Sequence, residues 1–264
     1  MKKLFIIMIC LLWMPLALAR GNYSSVDDYA TQAPTLKDPK ELESLVHFLV
    51  RHYKRDDDKA RVLLSWIVHN IDYDYYKFQK IVQTDNDANA TQEIPQNDIL
   101  ETRLGVCEDI AALYQKMGTL AGLTVEVISG KIMIPDRTLQ QFRSIASNHA
   151  WNAVKINDKW EYVDPTWAIG GTDGYSTSNV VKKRDYEKTI KRREKRHSDV
   201  KKARPDRFIL DEWFFTDKDE MIKTHFPNDE KWQLQKKKLT EEEFLKQSNP
   251  RAYRALMREK RRGK

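Results

Sequence analysis

The stretch NHAWNAVKINDKWEYVDPTW, residues 148–167, places two β-prone runs on either side of Asn157-Asp158. That pattern predicts an antiparallel hairpin. With a two-residue loop, Ile156 faces Lys159, His149 stands opposite Thr166, and Trp151 stands opposite Asp164. His149 and Asp164 are then diagonal neighbours on one sheet face, roughly 7–8 Å apart between backbone positions and within reach of a side-chain hydrogen bond. A three-residue loop would put them on opposite faces. A histidine in a strand is by itself an ordinary structural residue; matched to a carboxylate on the same face it becomes a candidate base with its orienting acid.

Upstream lies ETRLGVCEDIAALY, residues 101–114. From Cys107 the chain reads as a helix, with Ile110, Leu113, Met117 and Leu120 in period and Gly122 as the residue just past its end. Cys107 therefore stands at a helix N-terminus, where free backbone N–H groups and the helix dipole favour a thiolate. Glu108 and Asp109 oppose this by charge, although acids in a first turn are also what capping alone requires. The only other cysteine, Cys10, lies in MKKLFIIMICLLWMPLALA, whose two lysines, apolar run and Ala17-Leu18-Ala19 read as a secretory signal peptide over residues 1–19. Its cleavage would leave Cys107 alone in an oxidising compartment, secreted or periplasmic. There it would be a buried small hydrophobe, an intermolecular link or a reactive thiol.

The remaining chain carries 41% hydrophobic residues, enough for a packed core. Residues 20–55 read as an exposed polar lead-in followed by a helix capped at Asp38 with Leu42, Leu45, Val46 and Leu49 on one face; a second helix follows the acids at 56–58. Residues 77–96 look like a long polar loop, and a short helix is expected over about Asp98 to Arg103. LTVEVISGKIMI, residues 123–134, reads as a strand with Gly130 as a bend or bulge. The formal charge of +7 is uneven: residues 181–207 hold 13 Lys/Arg against 5 Asp/Glu, and residues 251–264 hold 7 against 1. The body is thus acidic, with a basic insertion and a basic tail. The insertion reads as a solvated excursion or as a surface for anionic cell-surface polymers; few aromatics interleave, so nucleic acid is not favoured.

Together the residues suggest nucleophilic chemistry: Cys107 attacks a carbonyl carbon, His149 moves the proton and Asp164 orients His149. The Cys107 N–H could form half of an oxyanion hole, with Gln96, Tyr73 and Tyr75 as unranked candidates for the other half. No metal-ligand or calcium-loop spacing occurs, so no cofactor is expected.

RLGVCEDIAALYQKMGTLAGL (103–123) followed by NHAWNAVKINDKWEYVDPTW resembles the transglutaminase-like superfamily, and DEWFFTDKDEMIKTHFPNDEKWQL (211–234) is similar to a segment of members near its kyphoscoliosis-peptidase branch. The resemblance implies an α+β, papain-like core over residues 56–180, with the cysteine helix packed on an antiparallel sheet and residues 208–250 extending that core. It carries Cys107 over as nucleophile, His149 as base and Asp164 as acid. It also implies a protein or peptide amide substrate handled by hydrolysis or, less favoured, by cross-linking. The alternative is a non-catalytic binding module that uses its basic segments; an intact Cys/His/Asp set favours the enzyme.

Overall fold

A computed structural model describes residues 22–34, 36, 38–86, 94–96, 98–132, 147–170, 182–195 and 207–262. The expected signal peptide, the polar stretches 87–93 and 133–146 and most of the second half of the basic insertion lie outside the described residues.

Helix α1 (Ser24–Thr31) precedes α2 (Leu42–Val50) and α3 (Asp56–Asn70). The lead-in is therefore not simply exposed. Val26 and Ala30 of α1 are buried, and Arg61 of α3 grips Asp27 through Nε (2.8 Å) and Nη2 (2.6 Å). Every residue from Ala60 to His69 is buried, so α3 runs through the core with packing on all sides. Its chain continues into β1 (Asp72–Tyr73) and α4 (Tyr75–Asn86), then α5 (Ile99–Thr102), β2 (Leu104–Gly105) and α6 (Cys107–Leu120). The start of the expected loop is thus helical. Asp74 accepts from the Lys77 N–H at 2.8 Å to start α4, and Phe78 and Ile81 pack on the core despite the polar composition around them. β1 and β2 pair in parallel, Tyr73 opposite Gly105, which holds the approach to Cys107.

The sheet comprises β3 (Val125–Ile132), β4 (His149–Ile156) and β5 (Lys159–Val163). The next elements are α7 (Pro165–Ala168), α8 (Lys183–Lys195), β6 (Phe214–Thr216), α9 (Lys218–Met221), β7 (His225–Pro227), α10 (Glu241–Ser248) and α11 (Pro250–Arg262). Strand order is β6-β5-β4-β3-β7, antiparallel throughout. The C-terminal segment therefore supplies both edge strands. One sheet face packs Val125, Val154, Ile156 and Val163 against the helices. Ile128, Trp151, Ala153 and Tyr162 on the other face meet Met221, with Trp232 and Leu234 packed alongside. This is an α+β architecture with α6 against the sheet, where Asn152 donates from β4 to the Ala111 carbonyl of α6 at 3.0 Å.

Most described residues of the basic insertion are exposed, but the segment is anchored to the body. Tyr186 of α8 is buried, stacks on Tyr76 at 4.2 Å and donates to Asp74 at 3.1 Å. Arg207 at its end donates to the Val68 and Ile71 carbonyls at 2.7 and 2.6 Å. One aromatic and one arginine fasten a segment whose other described side chains are mostly polar.

Gly130 is where three strands crowd, since it pairs with both His149 and Pro227. A Cβ there would lie 2.4 Å from the Phe226 carbonyl oxygen and 2.8 Å from the Pro227 Cα, backbone atoms that cannot swing aside. Gly130→Ala is expected to destabilise the fold by about 1–3 kcal/mol, the usual range for overpacking. Chemical denaturation checks this, and an unchanged midpoint would mean that β7 yields freely.

Candidate active site

Cys107 is the first residue of α6, following an extended Val106, and is a free, half-buried thiol. The acids beside it are placed differently from one another. Asp109 folds back to accept the Val106 N–H at 3.0 Å and is held by Lys77 Nζ at 3.0 and 2.8 Å. Its charge is shared with a lysine and a backbone donor, not directed at the sulfur alone. Glu108 is exposed to solvent, where screening weakens it. Of the two acids beside Cys107, one is thus paired and the other solvated.

His149 opens β4 and Asp164 closes the hairpin. Asn157 and Asp158 both take positive φ, 48° and 63°, the two-residue turn that matches strand twist. Ile156 pairs with Lys159 and Asn152 with Val163, the expected register. The ladder stops there. Thr166 does not pair with His149, because Pro165 begins α7 and Asp164 is its N-cap, accepting the Trp167 N–H on Oδ1 at 2.9 Å. A bulge at Tyr162/Val163 and a bond from the Asp164 N–H to the Trp213 carbonyl, 2.9 Å, set the direction of the carboxylate. Its Oδ2 lies 2.6 Å from His149 Nε2.

Both groups are fully buried. Burial alone would push the His149 imidazolium down, but the charge and hydrogen bond of Asp164, helped by a hydrogen bond and charge interaction with Cys107, raise it to about 10. Burial would raise the Asp164 carboxyl, yet His149 and His225 hold it well below the usual carboxylate range. With Nε2 occupied by Asp164, Nδ1 is the ring nitrogen left for Cys107. Asp164 is thus bonded to His149, and His149 has a hydrogen bond to Cys107. Of the other candidates, Tyr73 and Tyr75 meet edge to face at 5.1 Å, while Gln96 is exposed.

His225 of β7 went unnoticed in the sequence. Its Nε2 lies 3.0 Å from the same Asp164 oxygen, and its Nδ1 lies 2.8 Å from Thr224 Oγ1. Burial, together with the charge of His149, lowers its pKa to about 4 against the pull of Asp164. The ring sits among Trp151 (4.9 Å), Trp167 (4.4 Å) and Trp213 (5.6 Å). Trp151 and Trp167 are thus both core residues and walls that keep water from the histidines. The available signal was a histidine in the β-prone KTHFP run, within a segment already noted for its resemblance. The ligand atoms of His149, Asp164 and His225 lie within 4.8 Å of one another, a grouping that could hold a metal ion; both nitrogens here are turned on a single carboxylate oxygen, a hydrogen-bonded arrangement.

Residues 43–165 match the core of the Transglutaminase-like superfamily, a span that contains Cys107, His149 and Asp164. Kyphoscoliosis peptidase of Homo sapiens is 27% identical over 222 residues, covering 84% of this chain and 28% of that protein. Hillarin of Drosophila melanogaster is 25% identical over 210 residues, covering 79% and 22% respectively. The chain spans about a quarter of the length of these relatives. The solved structure of a TGase is 17% identical with a TM-score of 0.35, covering 65% of this chain and 37% of that one. The α+β core over residues 43–165, a little under half of the chain, is thus similar to the transglutaminase-like superfamily.

Proposed function

We propose that this protein is an exported cysteine enzyme that cleaves protein or peptide amide bonds through Cys107, His149 and Asp164. What supports this is the buried His149–Asp164 bond together with the hydrogen bond and charge interaction between His149 and Cys107, the first residue of α6. An imidazolium that keeps its proton beside sulfur stabilises the thiolate as an ion pair. The sulfur attacks the carbonyl carbon, and the oxyanion that forms can take the Cys107 N–H, which has no intrahelical partner at this position. His149 gives its proton to the leaving amine as the C–N bond breaks, leaving a thioester. Water then attacks, giving a proton to His149, and the acid departs as the sulfur is released. The name of the peptidase relative supports water over an amine as the second nucleophile. The apolar opening stretch supports export.

Iodoacetamide should alkylate native Cys107 faster at pH 7 than the urea-unfolded chain, and Cys107→Ala should abolish both labelling and peptide hydrolysis. An inert native thiol that labels only after unfolding would favour a non-catalytic binding module. Asp164→Asn should lower turnover by about 10³–10⁴-fold, since a misoriented ring is a poor base. Turnover within a few-fold of the unaltered protein would remove Asp164 from the reaction.

The pH dependence follows from the two histidines. His149 is raised, so the imidazolium persists through neutral pH and is lost only toward about 10; the alkaline limb of kcat/KM should lie well above the ordinary imidazole value of 6.5. His225 is lowered, so between 6.5 and about 4 the unfolded chain takes up a proton that the folded one refuses. Its contribution to stability is present above 6.5 and is lost as pH falls through that window. Denaturation midpoints measured from pH 8 to pH 4 should therefore decline on the acid side. A flat profile would mean that His225 is protonated in the folded state.

A further inference from the structure

Resting on the proposed cysteine chemistry, we infer that His225 is a positioning residue of this site: a neutral ring whose Nε2–H holds Asp164 Oδ2 in the orientation that His149 needs. It lies outside the span matched by the superfamily core and comes from the last strand of the sheet.

Asp164 is fully buried, so its carboxylate must be satisfied by protein donors. Oδ1 takes the Trp167 N–H, and Oδ2 is shared by His149 and His225. A bond to a carboxylate oxygen requires a hydrogen on His225 Nε2, because a bare nitrogen lone pair facing that oxygen would repel it. In a neutral ring Nδ1 then accepts. Thr224 Oγ1, 2.8 Å away, can donate to it, although the same hydroxyl also lies 3.3 Å from the Met221 carbonyl. A second imidazolium would leave one carboxylate facing two cations in a dry cage of tryptophans, which agrees with the lowered pKa of this ring. The two histidines thus divide the work. His149 carries charge and faces the thiol, while His225 donates without charge from the opposite flank of Asp164. Removing that donor leaves Oδ2 free to rotate away from His149, and the proton-transfer geometry loosens without change at the substrate.

The test compares His225→Phe, which keeps a ring but has no donor, with His225→Gln, which keeps an N–H. Thermal melts verify that each variant is folded. His225→Phe should lower kcat about 10–100-fold, the worth of one hydrogen bond to a charged group, with KM within about twofold. His225→Gln should recover most of the loss. Iodoacetamide labelling of Cys107 at pH 7, which needs no substrate, should slow in the Phe variant and recover in the Gln variant. If the Phe variant does not fold, long-range ¹H–¹⁵N spectra of the unaltered protein decide the matter: His225 must be the neutral Nε2–H tautomer at pH 7, and an Nδ1–H tautomer or an imidazolium overturns the inference. A reactive Cys107 whose labelling and turnover the Phe substitution leaves unchanged overturns the role of His225 alone. An inert Cys107 in the unaltered protein overturns the cysteine chemistry and this role with it.

Discussion

Asp164 has no water to solvate it, and a bare carboxylate in such a place would cost far more than the fold could offset. Three donors from three elements meet that requirement: the α7 backbone, the start of β4 and the edge strand β7. Each donor arrives only if its element is in register. A slip of one residue in the β4–β5 hairpin would turn His149 to the other face, and loss of β7 would remove His225. The hydrogen bonding of one carboxyl group thus ties together the hairpin, the cap of a four-residue helix and the C-terminal closure of the sheet.

A second network sets the thiol. The N-terminus of α6 takes an acidic cap, while the proposed nucleophile beside it would be disfavoured by uncompensated negative charge, and the two demands conflict at Asp109. Lys77 resolves the conflict by pairing with Asp109 while its own N–H is fixed by Asp74. Tyr186 donates to Asp74 from the basic insertion. The helix that presents Cys107 is therefore buttressed by a run of side chains that reaches α8, and a segment that looks dispensable by composition contacts this support directly.

What could be read from the sequence was local. The hairpin was legible because Asn157 and Asp158 accept positive φ and thereby fix the register, which brings the two ends of the hairpin side by side; the cap at Asp164 then aims its carboxylate at His149. Helix α6 was legible from its period and from Gly122 just past its end. The parts that escaped depend on distant partners. The two buried residues of α1 are too few to show a period, and its ion pair joins residues 34 apart. α4 was hidden by glutamines and lysines around Phe78 and Ile81, where composition outweighed spacing. Tyr186 sits among charges and finds Asp74 across 112 residues. His225 lies in a three-residue strand and meets Asp164 across 61 residues, with no periodic pattern to announce it.

The charge distribution explains why two similar rings on one oxygen behave oppositely. Asp164 can neutralise one imidazolium, and the two rings differ on the far side. His149 has Cys107 there, which contributes a hydrogen bond and a charge interaction beside the larger pull of Asp164; His225 has a threonine hydroxyl, which offers a hydrogen bond. Burial penalises both cations; Asp164 outweighs it at His149, while at His225 the charge of His149 adds to it. His149, drawn up chiefly by Asp164, in turn adds to the burial that holds His225 down, so the two rings differ although they share one oxygen.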